Sequence, residues 1–594
     1  MRIAVLVKQI PKFEAMELGP DGRLRRDGIE LELNPYCRRA VSKAVELAAE
    51  RAGSRVTVIT LGPPPAEDVL REAIAWGLAR DVDIEGVLVT DPAFAGSDTL
   101  ATAKALAATL RREGRFDLVL AGRNSVDADT GQVPPELAEL LDLPFLTGVR
   151  HLSIDGTAVN ARCEHDDGWF QVELSLPALL SCAERLCEPT KVDPPERAAV
   201  PAARIRTLTA AVLGPGPWGA DASPTWVGPV KTMAVTRDRR RDPNASIDEQ
   251  VRTAVHLLHE RGALAAHRHG DDTSACVAGS RTGTPCVLVV AEPDRALMTR
   301  ELLGAAAQLT GNVLAVTVEP PDARELASWG ANEIVHLAGE NVEEDVARAL
   351  TELVASERPA IMLVPSTAWG REVASRVAAA TNAGLVGDAV ELEVDDAFRL
   401  TAWKPAFGGQ LVAAIGCTTP LQIATMRAGT LPHLTPRPVT TGAGFEARRL
   451  PRRGRIDVLA RTRDDDLDVL AEAPVVIGVG RGVAPHDYPA LEALRTLIGA
   501  ELAATRKVTD EGWLARSRQV GITGRSLAPR LFVSIGASGK FNHVVGIRAA
   551  GTVLAINPDG DAPIFDAADV GIVARWEDAV PALVAALRSR PVPS

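Results

Sequence analysis

Small and polar residues follow an apolar run near the C-terminus, in the order that a phosphate-binding turn requires. The run Leu531–Ile535 leads into the turn Gly536–Gly539 and the pair Asn542-His543, and a second apolar run ends at Asn557. A strand, a Gly-rich turn and a helix in this order place backbone N–H groups where they can bind a phosphate. An ordinary βαβ crossover would also need such glycines. The Ser, His and Asn side chains favour a nucleotide site.

The rest of the same region adds groups that suit a pyrophosphate. Arg481 lies between Gly480 and Gly482, the pair Thr505-Arg506 follows another predicted strand, and a Gly-rich loop spans 521–524. The guanidinium fork of arginine matches phosphate oxygens. In a doubly wound sheet, ligands bind outside the carboxyl ends of the strands. We therefore predict one nucleotide site at that edge.

Composition limits the class of protein. The chain has 594 residues, enough for about three or four domains, and a net charge of −12, which makes nucleic acid an unexpected partner. No run approaches the roughly 20 apolar residues of a membrane-spanning helix, and the N-terminus does not resemble a signal peptide. The seven cysteines show no metal-ligand spacing. We expect a cytoplasmic protein that is not integral to the membrane and has no metal site.

Strand-like and helix-like segments alternate from the N-terminus, which predicts a parallel sheet covered by helices. The same pattern returns in the second half, so we predict one α/β fold used twice. The segments that correspond in order are 56–62 with 313–319, 75–79 with 328–331, 117–122 with 360–366, and 143–149 with 383–390. A third alternating region from about residue 472 predicts a doubly wound sheet.

These patterns give four predicted regions. Residues 1–265 form a first domain with a C-terminal arm, 266–283 a polar linker, 284–450 a second domain, and 451–594 a third domain. Ser246 and Glu249 have the spacing of a capping box at the start of a helix in the arm. The run Arg237–Arg241 is predicted to be a solvated segment rather than a docking patch.

The ordered motifs resemble those of the electron-transfer flavoprotein family, with its β and α subunits fused in one chain. The segments of the third domain that resemble the α-subunit FAD domain are 480–482, 505–506, 521–524, 536–539, 542–543, 555–557 and 562–565. The α-like segments of the second domain are 366–370, 403–410 and 426–429. The β-like segments of the first domain are 7–11, 34–36, 121–132 and 188–189. The resemblance implies two adenine-nucleotide α-hydrolase-like domains followed by an FAD-binding domain.

The resemblance also implies roles for single residues in an FAD site. Arg506 would lie against the isoalloxazine and favour the reduced, anionic flavin, and His543 would donate toward its N1/C2 edge. Thr523 would lie near N5, and Asn557 would face the adenosine. The implied FAD residues are Arg481, Thr505, Arg506, Gly521, Thr523, Gly524, Gly536, Ser538, Gly539, Asn542, His543 and Asn557.

Alternatives stay open at this site. Arg506 could form a surface ion pair, and His543 could cap a helix. Ile522 stands where the family often has Gln, and Arg575 stands where many relatives carry an acid that could accept from adenosine.

A second nucleotide is implied in the first domain. Its residues are Asn34, Asp127, Asp129, Thr130 and Gln132. They resemble the AMP site of the simple carriers, whereas the segments 7–11 and 95–102 resemble β subunits that bind a second FAD. Asp98-Thr99 could instead cap the helix that follows. AMP is favoured because the chain has no iron–sulfur motif, and a second FAD stays open.

The implied function is electron transfer. FAD would accept electrons from flavoprotein dehydrogenases and pass them to a membrane quinone reductase or another acceptor, without an organic substrate of the protein's own. The alternatives are an electron-bifurcating or NAD(H)-linked member with two FADs, and a flavin-free adenylate-binding module. Fusion of the two subunits predicts a pseudo-heterodimeric monomer. The loop 190–197, where the family docks its dehydrogenase, offers Val192 as its apolar anchor.

Overall fold

The computed structural model describes the chain except residues 13–28, 167, 233–236, 265–283, 407–410, 432–433, 440–442, 464–468, 471–472, 522–523, 526 and 590–594. The predicted linker lies outside the described residues. No helix in the described ranges is long and apolar enough to cross a membrane.

The first domain is built on a parallel sheet in the order β11-β5-β4-β1-β6-β10-β7, which continues as the antiparallel strands β8 and β9. Its strands are β1 (Arg2–Leu6), β2 (Gln9–Pro11), β3 (Leu31–Leu33), β4 (Arg55–Leu61), β5 (Asp83–Val89), β6 (Leu118–Gly122), β7 (Phe145–Asp155), β8 (Ala158–Glu164), β9 (Gly168–Ser175), β10 (Ala178–Cys182) and β11 (Ile205–Leu208). Its helices are α1 (Pro35–Ala49), α2 (Glu67–Leu78), α3 (Thr99–Glu113), α4 (Val133–Leu141), α5 (Pro194–Ala198) and α6 (Ala210–Leu213). The arm that follows contains β12 (Thr225–Thr232) and α7 (Ile247–Glu260).

The second domain repeats this parallel order as β22-β15-β14-β13-β16-β21-β17. Its strands are β13 (Val287–Ala291), β14 (Val313–Thr317), β15 (Glu333–Ala338), β16 (Ile361–Pro365), β17 (Gly384–Ala389), β18 (Glu391–Val394), β19 (Leu400–Ala406), β20 (Leu411–Cys417), β21 (Gln422–Met426) and β22 (Gly444–Arg449). Its helices are α8 (Ala296–Leu309), α9 (Ala323–Ser328), α10 (Glu343–Glu357) and α11 (Ala368–Thr381). Corresponding strands hold corresponding places in the two sheets, which confirms the predicted repeat.

The third domain is a parallel five-stranded sheet in the order β25-β24-β26-β27-β28, which confirms the predicted doubly wound architecture. Its strands are β24 (Val475–Val479), β25 (Glu501–Ala504), β26 (Leu531–Ile535), β27 (Thr552–Asn557) and β28 (Val570–Val573). Its helices are α12 (Tyr488–Ile498), α13 (Arg506–Asp510), α14 (Phe541–Val544) and α15 (Trp576–Ser589). Apolar residues fill both faces of the central strands, as a buried parallel sheet requires.

The domains exchange elements, which the predicted boundaries did not anticipate. Strand β23 (Ile456–Arg463), assigned from the sequence to the third domain, pairs antiparallel with β9 at the edge of the first sheet. Strand β12 of the arm pairs with β20 of the second domain. Helix α7 of the arm, capped by Ser246 and Glu249 as predicted, shares an apolar core with the third domain. Linear patterns cannot show such exchange, because each strand or helix looks the same whichever sheet it joins.

The charged run 237–241 in the arm is exposed at Asp238, Arg239, Arg240 and Arg241, as predicted, but not at Arg237. Arg237 is buried, and its guanidinium lies 2.7 Å from the carboxylate of Asp569, which is also buried, in the third domain. The backbone of Arg240 pairs with the first residues of β28. The prediction was wrong for Arg237 because a local charge pattern does not reveal a carboxylate that lies far away in sequence. The run anchors the arm to the third domain.

Candidate nucleotide-binding sites

The strand order of the third sheet places a crevice between the carboxyl ends of β24 and β26. The chain turns in opposite directions from these neighbouring strands, which is where doubly wound sheets bind ligands. The two turns touch each other: Gly480 N–H donates to Ile535 O at 2.9 Å, and Gly482 N–H donates to Gly536 O at 3.1 Å. A Cβ on Gly480 would lie 2.2 Å from Gly536 O, so this approach requires glycine.

The turn after β26 keeps its backbone open to a ligand through two further glycines. Gly536 and Gly539 both have positive φ, at 63° and 74°. A Cβ on Gly539 would lie 2.2 Å from the backbone of Ile564. The side chain of Ser538, between them, is exposed at the rim. The helix predicted to follow is a single turn, Phe541–Val544, so the backbone of the glycine turn, rather than a long helix, offers the N–H groups at this edge.

Asn557 braces this turn. Its Nδ2 donates to Ala537 O at 2.9 Å, and its Oδ1 accepts from Asp559 N–H at 2.9 Å. Both polar atoms are bonded within the protein, which fixes the turn against the end of β27. The role toward adenosine that the resemblance implies stays a prediction.

His543 supplies a buried polar atom without a partner. Its Nδ1 lies 3.1 Å from Val520 O and donates to it, so the Nε2 of the neutral ring carries a lone pair. Nε2 is buried, with no hydrogen-bond partner among the described residues. The ring bonds to the loop before Gly521 rather than capping a helix. Burial lowers the pKa of His543, and the bond to Val520 partly opposes that shift.

The arginines at this edge are accessible. Arg506 begins α13, and its guanidinium lies 3.2 Å from Asp510, which also pairs with Arg185 of the first domain. Arg481 is more exposed, and its guanidinium lies 3.7 Å from Glu511. The structure therefore shows Arg506 in a surface ion pair, the alternative left open by the sequence, at the same strand ends as the glycine turns. Its action on a flavin stays a prediction.

Three of the remaining predicted residues, Thr505, Gly521 and Gly524, are described by the structure. Thr505 directly follows β25, and its N–H donates to Val479 O at 3.0 Å. Gly521 and Gly524 close a tight loop, in which Gly524 N–H donates to Gly521 O at 3.0 Å. Thr523 and Ile522 lie outside the described residues, as does the side chain of Asn542. Arg575 is exposed and lies 2.7 Å from Glu577.

The first domain gathers the residues predicted for a second nucleotide. The loop after β6 faces the end of β1, from which Lys8 Nζ reaches Asp127 at 2.8 Å. Asn34 holds the loop backbone, since its Nδ2 donates to Asn124 O at 2.8 Å. Asn124 Nδ2 in turn donates to Asp129 at 2.6 Å. Burial alone would raise the pKa of Asp127, and Lys8 lowers it below its usual range.

The end of this loop continues into α4. Asp129 and Gly131 have positive φ, and Thr130 between them is partly buried. Gln132 is buried, and its Oε1 accepts from Thr99 Oγ1 at 2.9 Å. Asp98 caps α3 by accepting from Ala101 N–H at 2.9 Å, as the alternative interpretation of Asp98-Thr99 proposed. All five predicted residues thus meet at one edge of the first sheet.

Sequence reasoning missed the charged cluster with which the second domain faces this loop. Asp388 at the end of β17 is bound by Arg371 and Arg427, and Lys404 of β19 lies among them. These residues come from three separate strands and a helix, so no local motif joins them. Asp388 lies in the repeated segment 383–390, and Lys404 lies in the α-like segment 403–410. These two segments were the available sequence signal for the cluster.

The comparisons with known proteins agree with this architecture. The electron transfer flavoprotein domain matches residues 21–213 and 271–460, and the electron transfer flavoprotein FAD-binding domain matches residues 469–548. The chain therefore belongs to the electron transfer flavoprotein family. It carries the family's common domain twice and its FAD-binding domain once, which is a β–α fusion. The FAD-binding domain supports FAD as its cofactor.

Relatives match separate parts of the chain. Protein FixB of Bradyrhizobium diazoefficiens is 34% identical over 311 residues, which cover 49% of this chain and 83% of the relative. The electron transfer flavoprotein subunit beta of Thermoanaerobacterium thermosaccharolyticum is 40% identical over 190 residues, 32% of this chain and 70% of the relative. The caffeyl-CoA reductase-Etf complex subunit CarD of Acetobacterium woodii is 37% identical over 190 residues, 32% of this chain and 71% of the relative.

We expect the buried His543 to make the stability of the third domain depend on pH in the absence of ligand. A histidine whose folded pKa lies below its unfolded value of about 6.5 takes up a proton on unfolding, so stability falls as pH drops below that value. We expect the flavin-free protein to lose stability from about pH 7 to about pH 5.5, by at most about 1.4 kcal/mol per pH unit from this group. Thermal unfolding should show a weaker pH dependence in His543→Gln.

The control is His486→Gln, which alters an exposed histidine of the same domain. Its pH dependence should match that of the unmodified protein. An equal pH dependence in His543→Gln and in the unmodified protein would remove the neutral, buried state assigned to His543.

Proposed function

We propose that this protein is an electron carrier. FAD at the carboxyl edge of the third sheet accepts electrons from a flavoprotein dehydrogenase and passes them to a quinone reductase or another acceptor. The observation that carries the proposal is the convergence of Thr505, Arg506, His543 and the turn Gly536–Gly539 at one crevice, in a domain that matches the family's FAD-binding domain.

The crevice fits FAD. The buried Nε2 of His543 lacks a partner, the glycine turns leave no room for a Cβ, and two arginines are accessible at the strand ends. FAD supplies reversible electron transfer when bound. The chain's own part is to hold the pyrophosphate at the glycine turns and to set the charge around the ring through Arg506. The other assigned FAD residues stay part of this proposal.

The contacts of the third domain suit a domain that reorients to meet its partners. It shares an apolar core with the arm but meets the first domain through ion pairs. Arg516 lies 3.2 Å from Glu164 and 3.1 Å from Glu184, and Arg185 pairs with Asp510. The pair of Arg185 with Asp510, whose side chains are 37% and 38% exposed, contributes little stability, about 0–1 kcal/mol. Helix α7 would then move with the third domain, whereas strand β12 of the arm stays paired with β20 of the second domain.

The first domain would hold an adenine nucleotide at the loop 122–132. AMP fits a simple carrier. A second FAD would fit an electron-bifurcating or NAD(H)-linked protein, which is the second candidate. A flavin-free adenylate-binding module is supported by Ile522 and Arg575 alone. The protein is proposed to act in the cytoplasm as a pseudo-heterodimeric monomer.

Electron transfer tests the proposal directly. The purified, FAD-loaded protein is mixed anaerobically with a substrate-reduced acyl-CoA dehydrogenase, and flavin absorbance is followed. We expect bleaching of the carrier's flavin and reoxidation when an artificial quinone is added. The carrier function would be contradicted if dithionite reduced the flavin but neither a flavoprotein dehydrogenase nor NADH did. Reduction by NADH, with two flavins per chain, would support the bifurcating alternative.

A further inference from the structure

The loop that is predicted to bind the second nucleotide lies against the second domain. A Cβ on Gly387 of β17 would lie 2.6 Å from Gln132 Nε2 and 4.0 Å from Thr130 O. Asp129 also interacts electrostatically with three cations of the second domain, Arg371, Lys404 and Arg427. The carboxyl edges of the two repeated sheets thus meet at this loop.

Two hydrogen-bond donors in this boundary have no acceptor among the residues that the structure describes. Lys404 is 8% exposed and Gln132 is 2% exposed. Neither Lys404 Nζ nor Gln132 Nε2 has a hydrogen-bond partner within the described ranges. A buried ammonium without an acceptor is strongly unfavourable, so this arrangement calls for an anion. Burial lowers the pKa of Lys404, and Asp388 and Asp129 partly oppose that shift.

The nearby carboxylates are already engaged. Asp388 accepts from Ser366 Oγ at 2.9 Å and pairs with Arg371 and Arg427. Asp129 accepts from Asn124 Nδ2 at 2.6 Å. Of the three cations of the second domain, Arg371 and Arg427 thus share the carboxylate of Asp388. Among the described residues, Lys404 is left as the cation of this cluster without a bonded counter-ion.

We propose that Lys404 of the second domain completes the nucleotide site of the first domain by binding a phosphate oxygen, with Gln132 Nε2 as a second donor. The inference rests on the adenine nucleotide of the proposed function. The phosphate nearest the adenosine is common to AMP and FAD, so the residue serves either ligand. A phosphate at this position would bridge the two repeated domains and supply the anion that Lys404 lacks.

The test compares Lys404→Met with Lys43→Met in the full, FAD-loaded chain. Lys43 is an equally buried lysine of α1, but its Nζ is paired with Glu46 at 2.8 Å. Calorimetry measures binding of AMP, adenosine, inorganic phosphate and FAD to protein dialysed free of its second nucleotide. A charge-assisted hydrogen bond is worth a factor of roughly ten to a hundred in affinity. We expect Lys404→Met to weaken the binding of AMP or FAD by that factor and to leave the affinity for adenosine unchanged.

Thermal unfolding separates this role from a structural one. Without nucleotide, Lys404→Met should unfold at the same or a higher temperature, because it removes an unpaired buried charge. With saturating AMP it should gain less stability than the unmodified protein. A structural ion pair of Lys404 would instead give a lower unfolding temperature under both conditions, and that result would overturn the proposal.

Other outcomes also decide. The proposal would be overturned if Lys404→Met and the unmodified protein had the same ratio of AMP to adenosine affinity. It would also be overturned if Lys43→Met lost as much AMP affinity as Lys404→Met, or if the site bound inorganic phosphate only. FAD in the third domain with no adenine nucleotide bound elsewhere would overturn this inference and leave the carrier function intact. A nucleotide site whose affinity depends on the phosphate and on Lys404, in a protein that binds no flavin, would support this inference and contradict the carrier function.

Discussion

Replacing Arg506 by alanine should lower the midpoint potential of the bound FAD by about 60–120 mV, equivalent to about 1.4–3 kcal/mol for one electron. The guanidinium lies at the carboxyl edge of the third sheet, where its positive charge favours the reduced, anionic flavin. The side chain is 47% exposed, which screens its field and sets the modest size of the effect. Spectroelectrochemical titration of the purified protein measures the shift.

A second variant should shift the midpoint potential of the flavin in the opposite direction. Asp510 pairs with Arg506 at 3.2 Å and partly neutralises its charge. Asp510→Asn should therefore raise the potential, while Arg588→Ala, an exposed arginine of α15, should leave it unchanged. Unchanged titrations of both Arg506→Ala and Asp510→Asn would remove the role assigned to Arg506.

Replacing Asp569 by alanine should destabilise the third domain by about 3–5 kcal/mol. Its carboxylate is fully buried and lies 2.7 Å from Arg237 and 3.0 Å from Arg261 of the arm. It also accepts from Val553 N–H at 2.8 Å. The change leaves the buried guanidinium of Arg237 without a counter-ion and the arm without its main polar anchor. Denaturant titration, followed by flavin release and by circular dichroism, measures the loss.

The matched control is Asp566→Ala. Asp566 also pairs with the arm, but its side chain is 67% exposed and lies 4.0 Å from Arg239. Its removal should change stability by no more than about 0.5 kcal/mol. Equal effects of the two substitutions would show that burial of the Arg237–Asp569 pair is not what fixes the arm.

The repeated fold and the third sheet were predictable from sequence, because buried parallel strands and their covering helices have strong local patterns. Strands β4 and β14, for example, are recognisable as apolar, β-branched runs, and the structure places them at corresponding positions. The capping box of Ser246 and Glu249 was predictable for the same reason: it depends on neighbours three residues apart.

Long-range placement was not predictable. Strand β23 joins the first sheet, α7 joins the third domain and Arg237 is buried, because each depends on a partner hundreds of residues away. The candidate sites follow the same division. Sequence motifs located the glycine turns and the loop 122–132, whereas the brace formed by Asn557 and the unpaired Lys404 appear only when distant strands are brought together.

Identification of the nucleotides released from the purified protein tests the central claim most directly. Denaturation followed by chromatography and protein quantitation gives the identity and number of ligands per chain. The proposed carrier predicts one FAD per chain in the third domain and one adenine nucleotide, AMP or a second FAD, in the first. A protein that releases AMP without flavin, and that binds no FAD when it is added, would contradict the account.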